Sequence, residues 1–399
     1  MPGGRSPATV QARQRWRDGR RPRYPGRTVR RWRQVIAVVA VLLVLASVAA
    51  SAFAWYVTSR LIAVTHVHDA YPLRVLAVGP KQATVTLTAG PDAAEPGTFR
   101  LAWPGGHAVT GKVTSTAPGS VTRRIVFVTG HLAPGERAGI EPDLHIGNPY
   151  TALRVPFTTV QVPTPLGGMP AWFIAGWRRT WVILIHGLGG SRADTLPVMP
   201  DLRALGYPML AISYRNDLGA PASQDHQSHL GATEWHDAAA AIRYATEHGA
   251  SGVILYGLSL GGAMAMVTTE HSPAGHWVRA LILDSPILDW QATLEYQARR
   301  HGIPQLITST TETLLAWRTG LDYNMFDQLR YEAALRVPVL LIQGTADTIV
   351  PVAVADAFAR ARPGLVTYLR VPGADHVSAI DTDPRGYRAA LGLFLARFG

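Results

Sequence analysis

Six short uncharged runs, at residues 181–185, 208–213, 252–256, 280–283, 337–342 and 365–369, restrict the second half of this chain to few architectures. Runs of four to six apolar residues fit strands covered on both faces and are too short for buried helices. Longer stretches with helical spacing of their apolar residues separate them, at 195–205, 233–247, 261–271 and 352–361. Such alternation predicts the α/β class, with a mostly parallel sheet and helices on both faces. Just upstream, residues 158–162 and 171–175 flank a turn at 163–170 that contains Pro and Gly, which predicts an antiparallel hairpin leading into the sheet. This character begins at about residue 156 and sets a domain of 156–399. Ligands of open α/β sheets bind beyond the carboxyl ends of the strands, so the residues following each run are the candidates for chemistry.

The first half differs. Residues 35–57 carry no charge over 23 positions, enough for a helix to cross a hydrocarbon layer of ~30 Å. Trp32 stands at one end and Trp55 and Tyr56 at the other, where interfacial aromatics sit. Of the 38 basic side chains, eleven arginines crowd into residues 1–33 against the single acid Asp18, which leaves 27 basic and 26 acidic groups beyond. The net charge of +11 therefore belongs to a tail and not to a nucleic-acid-binding surface. Charge bias across the apolar run predicts a cytoplasmic tail at 1–34, a transmembrane helix at 35–57 and an extracytoplasmic remainder at the cell membrane. Ala52-Phe53-Ala54 also suits signal-peptide cleavage, and export follows under either alternative. Between residues 71 and 150, β-branched runs at 74–78, 83–87, 99–102, 111–115 and 124–128 alternate with Gly/Pro turns. They predict a small β-rich domain of about five strands, within a segment of stalk and domain at 58–155. His66, His68 and Asp69 form a half-set of metal ligands without a second group at suitable spacing.

Chemistry concentrates where strands end. Gly257-Leu258-Ser259-Leu260-Gly261-Gly262 follows the run ending at Tyr256 and opens a helical stretch, a junction that lifts a serine hydroxyl above the sheet. A serine becomes a nucleophile only when a base takes its proton. Among 14 histidines, His376 lies in a Gly-containing loop between the last apolar run and the final helix. That imidazole needs a carboxylate to fix its tautomer, and Asp347, in Gly344-Thr345-Ala346-Asp347, directly follows the run at 337–342. His186-Gly187-Leu188-Gly189-Gly190 follows the run at 181–185, so the backbone N–H groups of Leu188 and Leu260 are the expected oxyanion hole. Asp284 also ends a strand and is the alternative acid, whereas Asp375 is expected to be a turn residue and His186 to pack beneath the oxyanion loop. Arg215 and Asn216 lie near the expected pocket mouth, with helix capping and surface solvation as the plainer duties. Asp225, His226 and His229 have a metal-like spacing that lacks a third convincing ligand. Without cysteine, and without a Gly-x-Gly-x-x-Gly or Walker pattern, the chain implies neither a metal nor a cofactor.

In the order Ser259, Asp347, His376, with the loop at His186-Gly187, residues 156–399 resemble the α/β-hydrolase family. Within it, Tyr256-Gly257-Leu258-Ser259 and Gly344-Thr345-Ala346-Asp347 resemble the bacterial serine-aminopeptidase-like or BEM46-like type. The resemblance implies a lid at about 290–336, with helical patterns near 290–300 and 311–318, and a serine hydrolase acting through an acyl-enzyme. A carboxylic ester of a small-molecule or lipid-like acyl substrate is the expected target. Peptide hydrolysis or acyl transfer on the same triad, and a non-catalytic envelope binding or scaffold role, remain alternatives.

Overall fold

The computed structural model describes residues 26–64, 71–90, 93–94, 99–141, 147–330 and 335–398. The tail up to residue 25 and the group His66, His68 and Asp69 lie outside the described residues. Helix α1, Gly26–Ile62, contains a stretch, Arg31–Ile62, long and apolar enough to cross a membrane. Val38, Val41, Leu42, Leu43, Val44 and Leu45 are all more than half exposed on it, an apolar surface all round that protein does not cover. The helix runs five residues past the uncharged segment. Its last turns are not solvated: Thr58 and Ile62 are buried, Ser228 N–H donates to the Ile62 carbonyl at 2.9 Å, and Ala63 bridges to Gln227.

Six strands follow: β1 (Leu73–Val78), β2 (Thr84–Thr88), β3 (Phe99–Trp103), β4 (Gly106–Ala117), β5 (Ser120–Thr129) and β6 (Arg137–Glu141). They close into an antiparallel barrel in the order β1-β2-β5-β4-β3-β6, which leaves no edge strand unpaired. Its interior holds Val75, Val85, Leu87, Leu101, Trp103, Val121 and Leu132. Arg123 is buried among them, its guanidinium 4.8 Å from the Phe99 ring centroid and donating to the Ala93 carbonyl. Five of these strands are the expected ones. The sixth, Arg-Ala-Gly-Ile-Glu, has only one β-branched residue and so carries no strand signal of its own.

After a capped turn of helix, α2 (Pro149–Leu153), comes an eight-stranded sheet of β7 (Thr158–Thr164), β8 (Gly167–Ile174), β9 (Thr180–Ile185), β10 (Met209–Ile212), β11 (Gly252–Leu258), β12 (Val278–Asp284), β13 (Val339–Gly344) and β14 (Val366–Val371). Its order is β14-β13-β12-β11-β9-β10-β8-β7, with β8 antiparallel to both neighbours and the strands from β10 through β9 to β14 parallel. The period of two divides each strand between two cores. Trp181, Ile183 and Ile185 of β9 face the layer of α4 (Trp235–Glu247), α5 (Leu260–His271) and α8 (Val352–Ala361). Val182 and Leu184 face the layer of α3 (Met199–Ala204), α9 (Ala379–Thr382) and α10 (Pro384–Leu395). Each fully buried aliphatic side chain contributes roughly 1.5–3 kcal/mol relative to exposure, so an uninterrupted apolar strand is held from both sides.

Three elements depart from expectation. The turn foreseen at 163–170 narrows to the two residues between Thr164 of β7 and Gly167 of β8. The helix foreseen at 195–205 is a tight turn, Arg192–Val198, followed by the short α3, because Pro197 cannot donate a main-chain hydrogen bond. In the lid region, α6 (Trp290–Arg300) matches the foreseen helix, whereas α7 (Gln305–Thr319) starts six residues before the pattern at 311, directly behind Pro304.

Candidate active site

Between β11 and α5 the chain reverses within one residue. Ser259 takes φ +51° and ψ −113°, a backbone conformation that costs energy for any residue with a Cβ. Close packing explains the flanking glycines: a side chain on Gly257 would strike the Gly261 carbonyl, and one on Gly261 would strike the Ile185 carbonyl. The strained turn is pinned by Ser259 N–H donating to Asp284 O at 3.0 Å and by Ile287 N–H donating to Ser259 O at 3.2 Å.

Two further strand ends reach the same point. Asp347 follows β13 and is buried, with His376 Nδ1 2.9 Å from its Oδ2. Gln343 Nε2 donates to the same oxygen at 2.7 Å, and the N–H groups of Ile349 and Val350 donate to Oδ1 at 2.8 and 2.9 Å. Four donors therefore fix the carboxylate. It holds the proton of His376 on Nδ1 and leaves the lone pair of Nε2 facing Ser259 Oγ at 2.9 Å. Asp375 staples the two loops together, accepting from the N–H and the hydroxyl of Thr348 at 2.8 and 2.9 Å, and takes no place beside the imidazole ring.

Asp284, the alternative acid, points elsewhere. Its carboxyl accepts from Tyr387 Oη at 3.1 Å and Ser285 Oγ at 3.1 Å, and Ser285 Oγ in turn accepts the Val377 N–H at 3.0 Å. Burial pushes its pKa up to about 6, against those two hydrogen bonds and the nearby His376, with Asp347 adding to the rise. It thus supports the His376 loop from behind.

The loop at residues 186–190 lies against Ser259, since a Cβ on Gly187 would sit 3.3 Å from Ser259 Cβ. Leu260 opens α5, and its N–H is among the four that a helix start leaves without an intrahelical acceptor. Leu188, half exposed, stands on the facing loop. Beneath it His186 is fully buried, with Nε2 2.7 Å from Asp217 and Nδ1 2.9 Å from the Gly187 carbonyl. Both ring nitrogens face acceptors. Burial alone would lower the His186 pKa, yet the charge and hydrogen bond of Asp217 raise it above the ordinary histidine value. Tyr214 stacks on that ring and donates its hydroxyl to the Gly187 carbonyl at 2.8 Å, so the loop is propped from below by two donors.

Other singled-out residues have structural partners. Arg215 makes a two-pronged pair with buried Asp237, at 2.8 Å for each contact, and Asn216 bonds the Gln227 carbonyl and the Ser223 N–H. His229 bonds Asp225 at 2.9 Å and Thr233 at 2.8 Å. Among the described residues no group of three or more His, Cys, Asp or Glu could hold a metal. Sequence reading assigns no role to Gln343, Ser285, Tyr214 or Asp217, although it places Tyr214-Arg215-Asn216-Asp217 at a strand end near the pocket mouth. Gln343 left one signal, a lone polar residue at the end of an otherwise apolar strand. Helix α6 bonds the Asp347 loop: Tyr296 Oη donates to the Asp347 carbonyl at 2.9 Å, and Gln297 Nε2 to the Thr348 and Ile349 carbonyls at 2.7 Å.

Comparison with known proteins agrees with this architecture. A sequence model of the prolyl oligopeptidase family matches residues 200–398, and a domain of unknown function matches residues 74–141, the span of the barrel. No curated protein matches the sequence. Among solved structures, an esterase of Pyrococcus furiosus in one crystal form aligns with TM-score 0.52 and 22% identity, covering 64% of this chain and 95% of its own. A second crystal form of it gives 0.51 and 21%, covering 64% and 98%. An esterase from the planctomycete Thermogutta terrifontis gives 0.48 and 22%, covering 61% and 92%.

Proposed function

We propose that this chain, a serine hydrolase of the α/β-hydrolase fold, hydrolyses carboxylic esters with Ser259 as nucleophile, His376 as base and Asp347 as its orienting carboxylate, while held at a membrane by α1. The hydrogen-bonded line from Asp347 through His376 to Ser259, 2.9 Å at each step, carries this reading. As Oγ attacks the acyl carbon, its proton passes to Nε2, and the imidazolium formed is stabilised by the buried carboxylate. The carbonyl oxygen gains the negative charge and takes hydrogen bonds from the N–H groups of Leu188 and Leu260, aided by the N-terminus of α5. Collapse breaks the acyl C–O bond, and the leaving alkoxide takes the proton from Nε2. Water then gives its proton to Nε2 and its oxygen to the acyl carbon, and Ser259 is regenerated with release of the acid.

An alkoxide leaves more readily than an amide anion, which favours esters at a site whose acid is one imidazole. That the structural neighbours are esterases supports the same choice. The match to the prolyl oligopeptidase family supports amide hydrolysis as a second reading. Assay of p-nitrophenyl esters and peptide p-nitroanilides separates them. Ester turnover should dominate, and Ser259→Ala or His376→Ala should lower kcat by several orders of magnitude with folding unchanged. Ester turnover retained in Ser259→Ala would refute the mechanism. For topology, the arginines before α1 support a cytoplasmic N-terminus and an extracytoplasmic hydrolase.

A further inference from the structure

The solvent side of lid helix α7 carries no charge. Leu306 and Trp317 are 77% and 74% exposed, and Ser309 and Thr313, one and two turns on from Leu306, are exposed between them. A helix facing water ordinarily puts charged side chains there. The two charged residues of α7 lie off that stripe: Glu312 is buried, and Arg318 is turned aside. Arg318 Nη1 donates to Thr58 Oγ and Ser59 Oγ, both at 2.8 Å, and its guanidinium lies 4.2 Å from the ring centroid of Trp55. Trp55 and Tyr56 close the uncharged run of α1, where aromatic residues meet the membrane–water boundary. The C-terminal end of α7 is thereby tied to the end of α1 that carries these aromatic residues. The neighbouring helix α6 ends in Arg299, which pairs with Glu295, and Arg300, both exposed, followed by exposed His301, cations suited to anionic headgroups.

From this continuity we infer that the uncharged face of α7, Leu306 to Trp317, lies in the interfacial layer of the bilayer that holds α1, and that the hydrolase takes acyl esters embedded in that layer. The second half rests on the ester-hydrolase reading above. The lid has a direct link to the catalytic residues, because α6 packs on α7 and bonds the carbonyl of Asp347. A substrate leaving the bilayer beside α7 meets the lid before it meets bulk water. The membrane is thus both anchor and source of substrate.

Absence of cysteine makes the test clean, since one introduced thiol is the only labelling site. Full-length Thr313→Cys and, on the opposite layer, Leu393→Cys are each labelled with a nitroxide and reconstituted into phosphatidylcholine–phosphatidylglycerol vesicles. The label at 313 should be relaxed severalfold more by lipid-soluble oxygen than by an aqueous nickel chelate, with the reverse order at 393. Equal behaviour at the two positions overturns the proposal, as does dipolar broadening at 313 that signals a second copy packed on this face. The paired variant Leu306→Glu/Trp317→Glu should keep its turnover of p-nitrophenyl acetate while losing at least tenfold against a long-chain ester carried in vesicles. Loss of neither activity refutes the substrate route. If the unmodified protein cleaves neither ester while the label at 313 still reports lipid, the hydrolase reading fails and the membrane contact stands.

Discussion

Asp284 shows how one buried carboxylate beside the candidate site ties stability to pH. Its pKa is raised to about 6 in the folded protein from an ordinary value of 3.8, foremost by burial. The folded state therefore binds the proton more tightly than the unfolded chain. That contribution is complete below pH ~4 and is lost as pH rises through about 6, an effect on the order of 3 kcal/mol at most. Asp284→Asn cannot ionise. Thermal melts at pH 4 and pH 7 should show the variant gaining on the unmodified protein as pH rises, and parallel curves would contradict this assignment. Of the site residues, Ser259, Asp347 and His376 were readable because each follows an apolar strand in a short loop of recognisable composition. Gln343 and Ser285 were not, since their roles depend on which atom of a neighbouring strand end lies within 3 Å.

Elements were legible in proportion to how local their cause is. The parallel strands announce themselves by composition, and β9, β11, β12 and β13 are fully or almost fully buried along their length. By contrast, β6 is a strand only because β1 and β3 lie on either side of it to close the barrel. The proline inside Arg192–Val198 and the one preceding α7 moved helix boundaries by a turn or more. Helix α6 is the element with the clearest testable consequence. Each hydrogen bond from Tyr296 and Gln297 to the Asp347 loop is worth about 1 kcal/mol. Tyr296→Phe/Gln297→Leu should therefore leave kcat on p-nitrophenyl acetate within twofold, while changing kcat/KM severalfold across acyl chain lengths. An unaltered chain-length profile would show that α6 does not shape the pocket.

Across the whole chain, charge is sorted by segment: an arginine-rich start, an uncharged span, and a nearly neutral remainder. Sequence alone carried that sorting, because it needs only counting along the chain. It could not reveal that Arg318 reaches back 260 residues to Thr58, a contact set by the packing of the finished fold. The orientation predicts that protease added to intact cells removes the hydrolase while the cytoplasmic tail survives, whereas a fully protected hydrolase would reverse the topology. The most direct trial of the catalytic account is reaction of the full-length protein with a fluorophosphonate, followed by mass spectrometry of its peptides. The account predicts phosphonylation at Ser259, abolished in Ser259→Ala and slowed by orders of magnitude in His376→Ala. Modification at another serine, or labelling that persists in Ser259→Ala, would contradict it.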